Sequence, residues 1–214
     1  MEHMMGHAGM AATAVRYLRA VGSPTSAPRT VDPLPPPELR CIGADERLPF
    51  GPAEFRRVLG HFASGVTVIT TTDEDGPTGF ACQSFTSLSL VPPLIAFMVA
   101  RTSTTWPRIA RAGVFCVNVL GADQGELCRG FAVSSSVRPD KFAGVAHEPS
   151  PATGSPRLTG VPAWIDCTVH TVHTGGDHLV VVGRVSALGT DDTAARTGPL
   201  LFHRGGFGAF TPAS

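Results

Sequence analysis

The sequence predicts a mainly β protein, a closed antiparallel β-barrel with a few short helices. Apolar and β-branched runs of strand length recur through most of the chain, and turn residues separate neighbouring runs. Two short helices interrupt the strands, but no regular β-α-β alternation occurs, which disfavours a parallel sheet. Neither a G-x-G-x-x-G motif after a strand nor a Walker-type loop is present, so nucleotide folds of those classes are unsupported.

Two regions differ in composition. Residues 1–46 are rich in Pro and Ser and poor in aromatic residues. Such a segment buries too little apolar surface to offset its ordering entropy, so we predict a flexible extension with room for a short helix near residues 10–21. Residues 47–214 are predicted to form the folded domain.

The overall composition restricts the partners and the compartment. Of 214 residues, 43% are hydrophobic and 16% are charged, and the formal net charge is zero. A nucleic-acid partner would need a basic stripe, which this sequence lacks. Five cysteines without a C-x-x-C pair argue against a zinc site or disulfide framework and favour a cytoplasmic location. No apolar run approaches the ~20 residues that cross a membrane.

The folded region opens with an amphipathic helix. Its apolar residues follow the i, i+3, i+4, i+7 spacing of one helix face: Phe55, Val58, Leu59 and Phe62. Pro52 near the first turn and Gly65 after the end mark its limits. A β-branched strand is then predicted over residues 66–72, and a hairpin turn over residues 73–79.

The next predicted strand, residues 78–93, has unusual side chains. It carries almost no charge but several hydroxyls and one amide: Thr78, Gln83, Ser84, Thr86, Ser87 and Ser89. A strand face in water usually carries charged residues, and a buried face usually carries no such hydroxyls. Small uncharged groups on strand ends suit a flat, polar-edged heterocycle that also carries a phosphate.

The remaining elements continue the pattern of strands and short helices. Residues 94–100 are a continuous apolar run, typical of a strand buried on both faces. Ser103, Thr104 and Thr105 are candidate N-caps of the next helix, and Gly113 ends it. The later elements are strand 114–120, short helix 122–132, a loop-like region 133–162 with room for a helical turn at 140–142, a hairpin 163–189 around Gly175 and Gly176, and a last strand with tail at 199–210.

Other kinds of active site have little support in the sequence. No G-x-S-x-G elbow occurs, and the acidic residues fall mostly in turns. His170, His173 and His178 are close in sequence, but strand residues three apart point to opposite faces, which disfavours a metal site. The hydroxyls of residues 78–105 remain. They either hold a ligand, with residues 103–105 binding its anion, or merely cap turns and a helix, and local chemistry does not decide between the two.

Six segments, in this order and at matching intervals, resemble the short-chain NAD(P)H:flavin reductase family: GVTVITT, GFACQSFTSLSLVPPLIAF, ARTSTTW, FCVNVLGADQGELCRGFA, GGDHLVVVGRV and PLLFHRGGFG. The resemblance covers about residues 50–210. Family members include the reductase components of two-component flavin-dependent monooxygenases. The resemblance implies a flavin-binding split β-barrel, normally a homodimer, that binds FAD or FMN and takes hydride from NADH or NADPH. It also implies that reduced flavin diffuses to a partner monooxygenase.

The resemblance further implies which residues form the site. The segment bordering the flavin ring comprises Gly79, Phe80, Ala81, Cys82, Gln83 and Ser84. Contacts to the ribityl chain or the phosphate are implied for Ser87 and Ser89, and phosphate contacts for Ala100, Arg101, Ser103, Thr104 and Thr105. The outer part of the cofactor would lie near Phe131 and Ala132, and the covering tail would contribute Arg204 and Phe207. The catalytic residue implied beside the nicotinamide is His178.

The chain departs from the family pattern at three places. Phe80-Ala81 stands where Met-Thr or Cys-Thr is common, Gln83 where Asn is common, and Phe207 where tyrosine is common. The changes at Ala81 and Phe207 each remove a hydroxyl. A backbone contact at Ala81 remains available.

Simpler roles and other functions stay open beside these assignments. Arg101 could be a solvated charge, His178 a hairpin cap and Phe131 a core residue. Cys82 is predicted to be a packed residue rather than a nucleophile, because no His or Lys lies near it in the sequence. The alternative functions are a flavoprotein that retains FMN for electron transfer and a non-enzymatic flavin-binding protein.

Overall fold

The computed structural model describes residues 49–134 and 137–213, so the predicted extension and its helix lie outside the described residues. The helices are α1 (Pro52–Leu59), α2 (Trp106–Ala112) and α3 (Gly125–Ala132), followed by a 3₁₀ helix (Ala194–Thr197). The strands are β1 (Ser64–Gly65), β2 (Thr67–Asp73), β3 (Gly76–Cys82), β4 (Thr86–Leu90), β5 (Pro93–Ala100), β6 (Val114–Val119), β7 (His147–Pro149), β8 (Pro156–Leu158), β9 (Ala163–Gly175), β10 (His178–Thr190), β11 (Leu200–His203) and β12 (Gly206–Ala209).

The main sheet has seven antiparallel strands in the order β3-β2-β6-β9-β10-β5-β4. Its centre is the long β9–β10 hairpin, which the sequence predicts from two β-branched runs around adjacent glycines. The mainly β class is therefore confirmed. The predicted closure is not seen, because within residues 49–134 and 137–213 the edge strands β3 and β4 do not pair with each other.

The predicted strand of residues 78–93 is broken by a corner. The chain forms β3 as far as Cys82 and resumes as β4 at Thr86. Between them, the Ser84 hydroxyl accepts a hydrogen bond from the Met98 N–H at 3.0 Å and donates one to the Met98 carbonyl at 3.0 Å. The Ser84 side chain thus links the corner after β3 to β5.

The two faces of the main sheet carry separate cores. Successive residues of a strand point to opposite faces, so neighbours in β2 enter different cores. Ile69 packs with Phe115 and with Ile109 of α2, whereas Val68 packs in the cluster that contains Phe131 of α3. Each face is therefore covered by one short helix, and the start of α2 and the end of α3 both reach the corner after β3.

A small three-stranded sheet, in the order β1-β11-β12, brings the end of the chain back to the start of the domain. Ser64 in β1 is opposite Phe202 in β11. The β11–β12 hairpin also reaches α3, where the Arg129 guanidinium lies 5.0 Å above the Phe207 ring. Residues far apart in sequence thereby close one side of the domain.

The structure differs from the sequence prediction in three further elements. α1 ends at Leu59 rather than continuing to Gly65, and its predicted apolar face is exposed, with Phe62 81% accessible. β7 and β8 form a hairpin inside the predicted loop of residues 133–162, because strands of three residues are too short to show periodicity. No helical turn forms at residues 140–142. None of the described helices is long and apolar enough to span a bilayer.

Candidate active site

A cavity of about 620 Å³ lies between the corner after β3, the turn after β5 and the end of α3. Phe202 and Phe207 of the β11–β12 hairpin close a further side. The volume is typical of a site for a small molecule or cofactor.

Most of the predicted site residues line this cavity: Phe80, Ala81, Cys82, Gln83, Ser84, Ala100, Ser103, Thr104, Thr105, Phe131, Ala132, His178 and Phe207. The ladder between β2 and β3 ends at Cys82, so the backbone from Gln83 onward leaves the sheet at the cavity edge. The uncharged segment that stood out in the sequence is therefore split between a strand end and a corner.

The other predicted residues do not line the cavity. Gly79 lies behind the wall, while Ser87 and Ser89 lie on the edge strand β4. Arg101 is exposed, and its N–H donates to the Asp177 carbonyl at 3.0 Å. Arg204, with a φ of 49°, lines a separate groove beside α1.

Gly79 controls how closely α3 approaches the sheet. A Cβ at this position would lie 2.8 Å from the Ile69 carbonyl oxygen and 3.1 Å from Cε1 of Phe131. Only glycine fits there without displacing a neighbour. Gly79 thus sets the position of the Phe131 ring from behind.

The turn after β5 is shaped by its own hydrogen bonds. The Ser103 N–H donates to the Ala100 carbonyl at 2.9 Å, and the Ser103 hydroxyl accepts from the Trp106 N–H at 3.2 Å. Thr105, the residue before α2, is buried at the back of the turn. The Ser103 hydroxyl therefore caps the start of the helix, whereas Thr105 makes no side-chain cap, and residues 103–105 all line the cavity.

His178 lies at the open side of the cavity. It begins β10 directly opposite Ala100 in β5. Its Nδ1 is 2.7 Å from the Asp177 carboxylate, and this hydrogen bond lowers the pKa of Asp177. With 47% of its side chain accessible, the imidazole can meet a second ligand that arrives from solvent.

Cys82 is the cysteine of the predicted ring-bordering segment. Burial raises the pKa of its thiol, and its Sγ lies 3.3 Å from the Ser84 hydroxyl. A thiol that stays protonated at neutral pH is a poor nucleophile. The geometry thus favours a packing role for Cys82.

Sequence reasoning missed one charged residue of the cavity wall, Lys141. It is the chain's only lysine, and only 6% of it is accessible. Its Nζ donates to the Phe131 carbonyl at 3.1 Å and to the Gly79 carbonyl at 3.3 Å, and burial lowers its pKa. The one sequence signal that could have identified Lys141 is that every other basic residue apart from the histidines is an arginine.

The cavity wall fits a flavin in size and chemistry. Phe80, Phe131 and Phe207 offer apolar surface to a flat ring. The corner at Gln83 and Ser84 offers backbone groups to a polar ring edge, and the turn at residues 103–105 offers hydroxyls to a phosphate.

The fold and the cavity agree with the family to which the chain belongs. Residues 59–211 match the profile of the flavin reductase like domain, so this protein is a member of the flavin reductase-like family. The family prediction from sequence is thereby confirmed.

Individual relatives agree with this assignment. The chain is 51% identical over 175 residues, 82% of its length and 86% of the relative's, to the reductase subunit HsaB of a flavin-dependent monooxygenase from Rhodococcus jostii. A flavin reductase from Pseudomonas putida is 48% identical over 160 residues, 74% of this chain and 90% of the relative.

Solved structures share the fold. Nitrilotriacetate monooxygenase component B from Mycobacterium thermoresistibile superposes with a TM-score of 0.69 at 48% identity, covering 76% of this chain and 90% of that one. The NADH:FAD oxidoreductase SgcE6 of Streptomyces globisporus, in complex with NAD and FAD fragments, gives a TM-score of 0.68 at 34% identity, covering 75% and 93%.

Proposed function

We propose that this protein is an NAD(P)H:flavin oxidoreductase that reduces FAD or FMN and supplies free reduced flavin to a partner monooxygenase. The observation that carries the proposal is that three separate segments line one cavity. They are the uncharged corner at residues 80–84, the hydroxyl-bearing turn at residues 103–105, and His178. These groups suit a polar ring edge, a phosphate and a second ring, respectively. The names of the relatives, a monooxygenase reductase subunit and an NADH:FAD oxidoreductase, describe the same activity.

The residues of the chain act by binding and orienting two rings. When bound, the flavin and the nicotinamide supply the redox chemistry, a hydride passing from one to the other. The corner at residues 80–84 holds the polar edge of the first ring, and Phe131 and Phe207 exclude water from its faces. His178, fixed by Asp177, positions the second ring at the open side. Orientation of this kind lowers a barrier by several kcal/mol, up to ~7–11, without an acid–base dyad.

The proposal also includes a cytoplasmic location and the release of reduced flavin from the protein. Cys82, Cys116, Cys128 and Cys167 are free thiols in the structure, as a reducing compartment would keep them. Delivery to a separate enzyme requires that reduced flavin dissociates, so we expect moderate rather than extreme affinity.

We also propose that the protein is a homodimer with a split-barrel fold. Large apolar side chains are exposed just after α1 and around the end of β4: Phe62 is 81%, Leu90 72% and Val91 92% accessible. Large exposed apolar side chains often mark an interface, and a second copy is the partner that most soluble oligomers use.

The decisive experiment measures aerobic NADH and NADPH oxidation by the purified protein with FAD and FMN compared side by side. We expect turnover that rises with added free flavin and saturates. A protein that retains its flavin and consumes no NAD(P)H would instead support one of the two alternatives, the electron-transfer flavoprotein or the flavin-binding protein.

A further inference from the structure

Lys141 is held in the cavity wall by a turn built around it. The Asp140 carboxylate accepts a hydrogen bond from the Phe142 N–H at 2.9 Å, and Arg138 donates to the Asp140 carbonyl at 3.2 Å. Phe142 packs edge-on against Phe131 of α3, with ring centroids 5.2 Å apart. The neighbouring residues on both sides are thus fixed, and Lys141 is buried between α3 and β3.

The charge of Lys141 has no counter-ion among the residues that the structure describes. Its two acceptors are the neutral carbonyls of Gly79 and Phe131, and no carboxylate among residues 49–134 and 137–213 forms an ion pair with it. An ammonium has three N–H donors, so one remains for another acceptor. A buried cation without an anion is strongly unfavourable, and burial accordingly lowers the pKa of Lys141.

Arginines elsewhere in the domain show the usual arrangement. Arg108 pairs with Asp73, and Arg157 lies 2.6 Å from Glu148. These two partly buried guanidinium groups therefore have carboxylate partners, whereas the more deeply buried ammonium of Lys141 has none among the described residues.

A purely structural role explains the two hydrogen bonds but not the charge. Lys141 caps the last turn of α3 at Phe131 and ties it to Gly79 of β3, but a neutral donor would also satisfy two carbonyls. A buried positive charge facing a ligand cavity is what an anionic ligand requires.

We propose that Lys141 is a flavin-binding residue, whose ammonium is the counter-ion of an anionic group on the flavin bound in this cavity. The proposal rests on the proposed function only in naming a flavin as the ligand. A flavin carries negative charge in two places: on its phosphate, and on the ring after reduction. Either group can accept a hydrogen bond from the third donor of Lys141, and the experiment distinguishes the two.

The test uses the full-length protein, freed of flavin, and the variants Lys141→Met and Lys141→Gln. Dissociation constants are measured by fluorescence for riboflavin, FMN and FAD, each oxidised and chemically reduced, with no nicotinamide present. We expect at least roughly tenfold weaker binding, the effect of losing one hydrogen bond to a charged group. Loss for FMN and FAD but not for riboflavin identifies the phosphate. Loss for all three, larger in the reduced state and with a lower midpoint potential, identifies the ring.

Controls separate binding from folding. Lys141→Gln keeps hydrogen-bond donors for the two carbonyls without the charge, and Lys141→Arg keeps the charge and should retain affinity. Arg157→Met removes a cation away from the cavity and should leave flavin binding unchanged. Wild-type affinity for every flavin in both redox states, in folded Lys141→Gln protein, would overturn the proposal. Wild-type NAD(P)H oxidation is measured separately, so failure of the proposed function would be recognised independently.

Discussion

Gly79→Ala tests whether close approach at Gly79 both stabilises the domain and positions the cavity wall. The added methyl would lie 2.8 Å from a backbone oxygen of β2 and 3.1 Å from the Phe131 ring, so either the strand pair or the ring must move. Overpacking of this kind destabilises by ~1–3 kcal/mol. Ala also lowers the conformational entropy of the unfolded chain, and this effect offsets ~0.4–1 kcal/mol of the destabilisation. We expect a net loss of about 1–2 kcal/mol and a melting temperature lower by roughly 2–8 °C.

The assay combines denaturation with kinetics. If Phe131 moves, the apparent KM for flavin should rise more than the apparent KM for NAD(P)H. Gly65→Ala is the matched control, because a Cβ at Gly65 meets no atom within 4 Å. Gly79→Ala protein as stable as Gly65→Ala protein, with an unchanged KM for flavin, would refute the argument that Gly79 sets the position of the wall.

Three further predictions concern other parts of the molecule. His178→Ala should raise the apparent KM for NAD(P)H or lower turnover by roughly three- to tenfold, which is the effect of losing one hydrogen bond. Flavin affinity should not change. If neither kinetic parameter changes, the assignment of His178 to the nicotinamide is wrong. Asp73, hydrogen-bonded to Arg108, has a pKa lowered from 3.8 to about 2, so its stabilisation of at most ~2 kcal/mol is present above pH 3.8 and lost as the pH falls towards 2. Urea denaturation from pH 6 to 2.5 should show this loss in wild type but not in Asp73→Asn. Light scattering should give twice the chain mass of 22.3 kDa for wild type and a weakened dimer for Leu90→Glu, whereas a monomeric wild type would contradict the dimer proposal.

Long, regular elements were predictable from the sequence because their patterns are local. Two β-branched runs on either side of Gly175 and Gly176 predict the β9–β10 hairpin. Both strands are present in the structure. The corner at Ser84 was not predictable, because its hydroxyl leaves the strand for a partner 14 residues away. For that reason the sequence predicts one continuous strand through this corner. It also predicts a closed barrel, which the structure does not show.

In the candidate site, too, features with a local sequence pattern were predictable, and features that depend on long-range contacts were not. Residues 78–105 stood out by their uncharged side chains, and the family resemblance alone added Phe131, His178 and Phe207. Lys141 was not located, because a lysine beside Asp140 in a polar segment has the pattern of a solvated loop. Its burial depends on the packing of Phe142 against Phe131, a contact between side chains that no local pattern encodes.

The Ser84 bridge also bears on how a product could leave. Elsewhere in the main sheet, separating two strands breaks a continuous series of backbone hydrogen bonds. At this corner, the Ser84 hydroxyl just after β3 makes two hydrogen bonds to Met98 of β5, each contributing ~1 kcal/mol, and the Cys82 Sγ lies 3.8 Å from the Met98 carbonyl. Rotation of the Ser84 and Cys82 side chains would therefore release this link while every strand stays paired. We expect the exit to be a local motion of this corner, much faster than unfolding, and compatible with repeated loading and release.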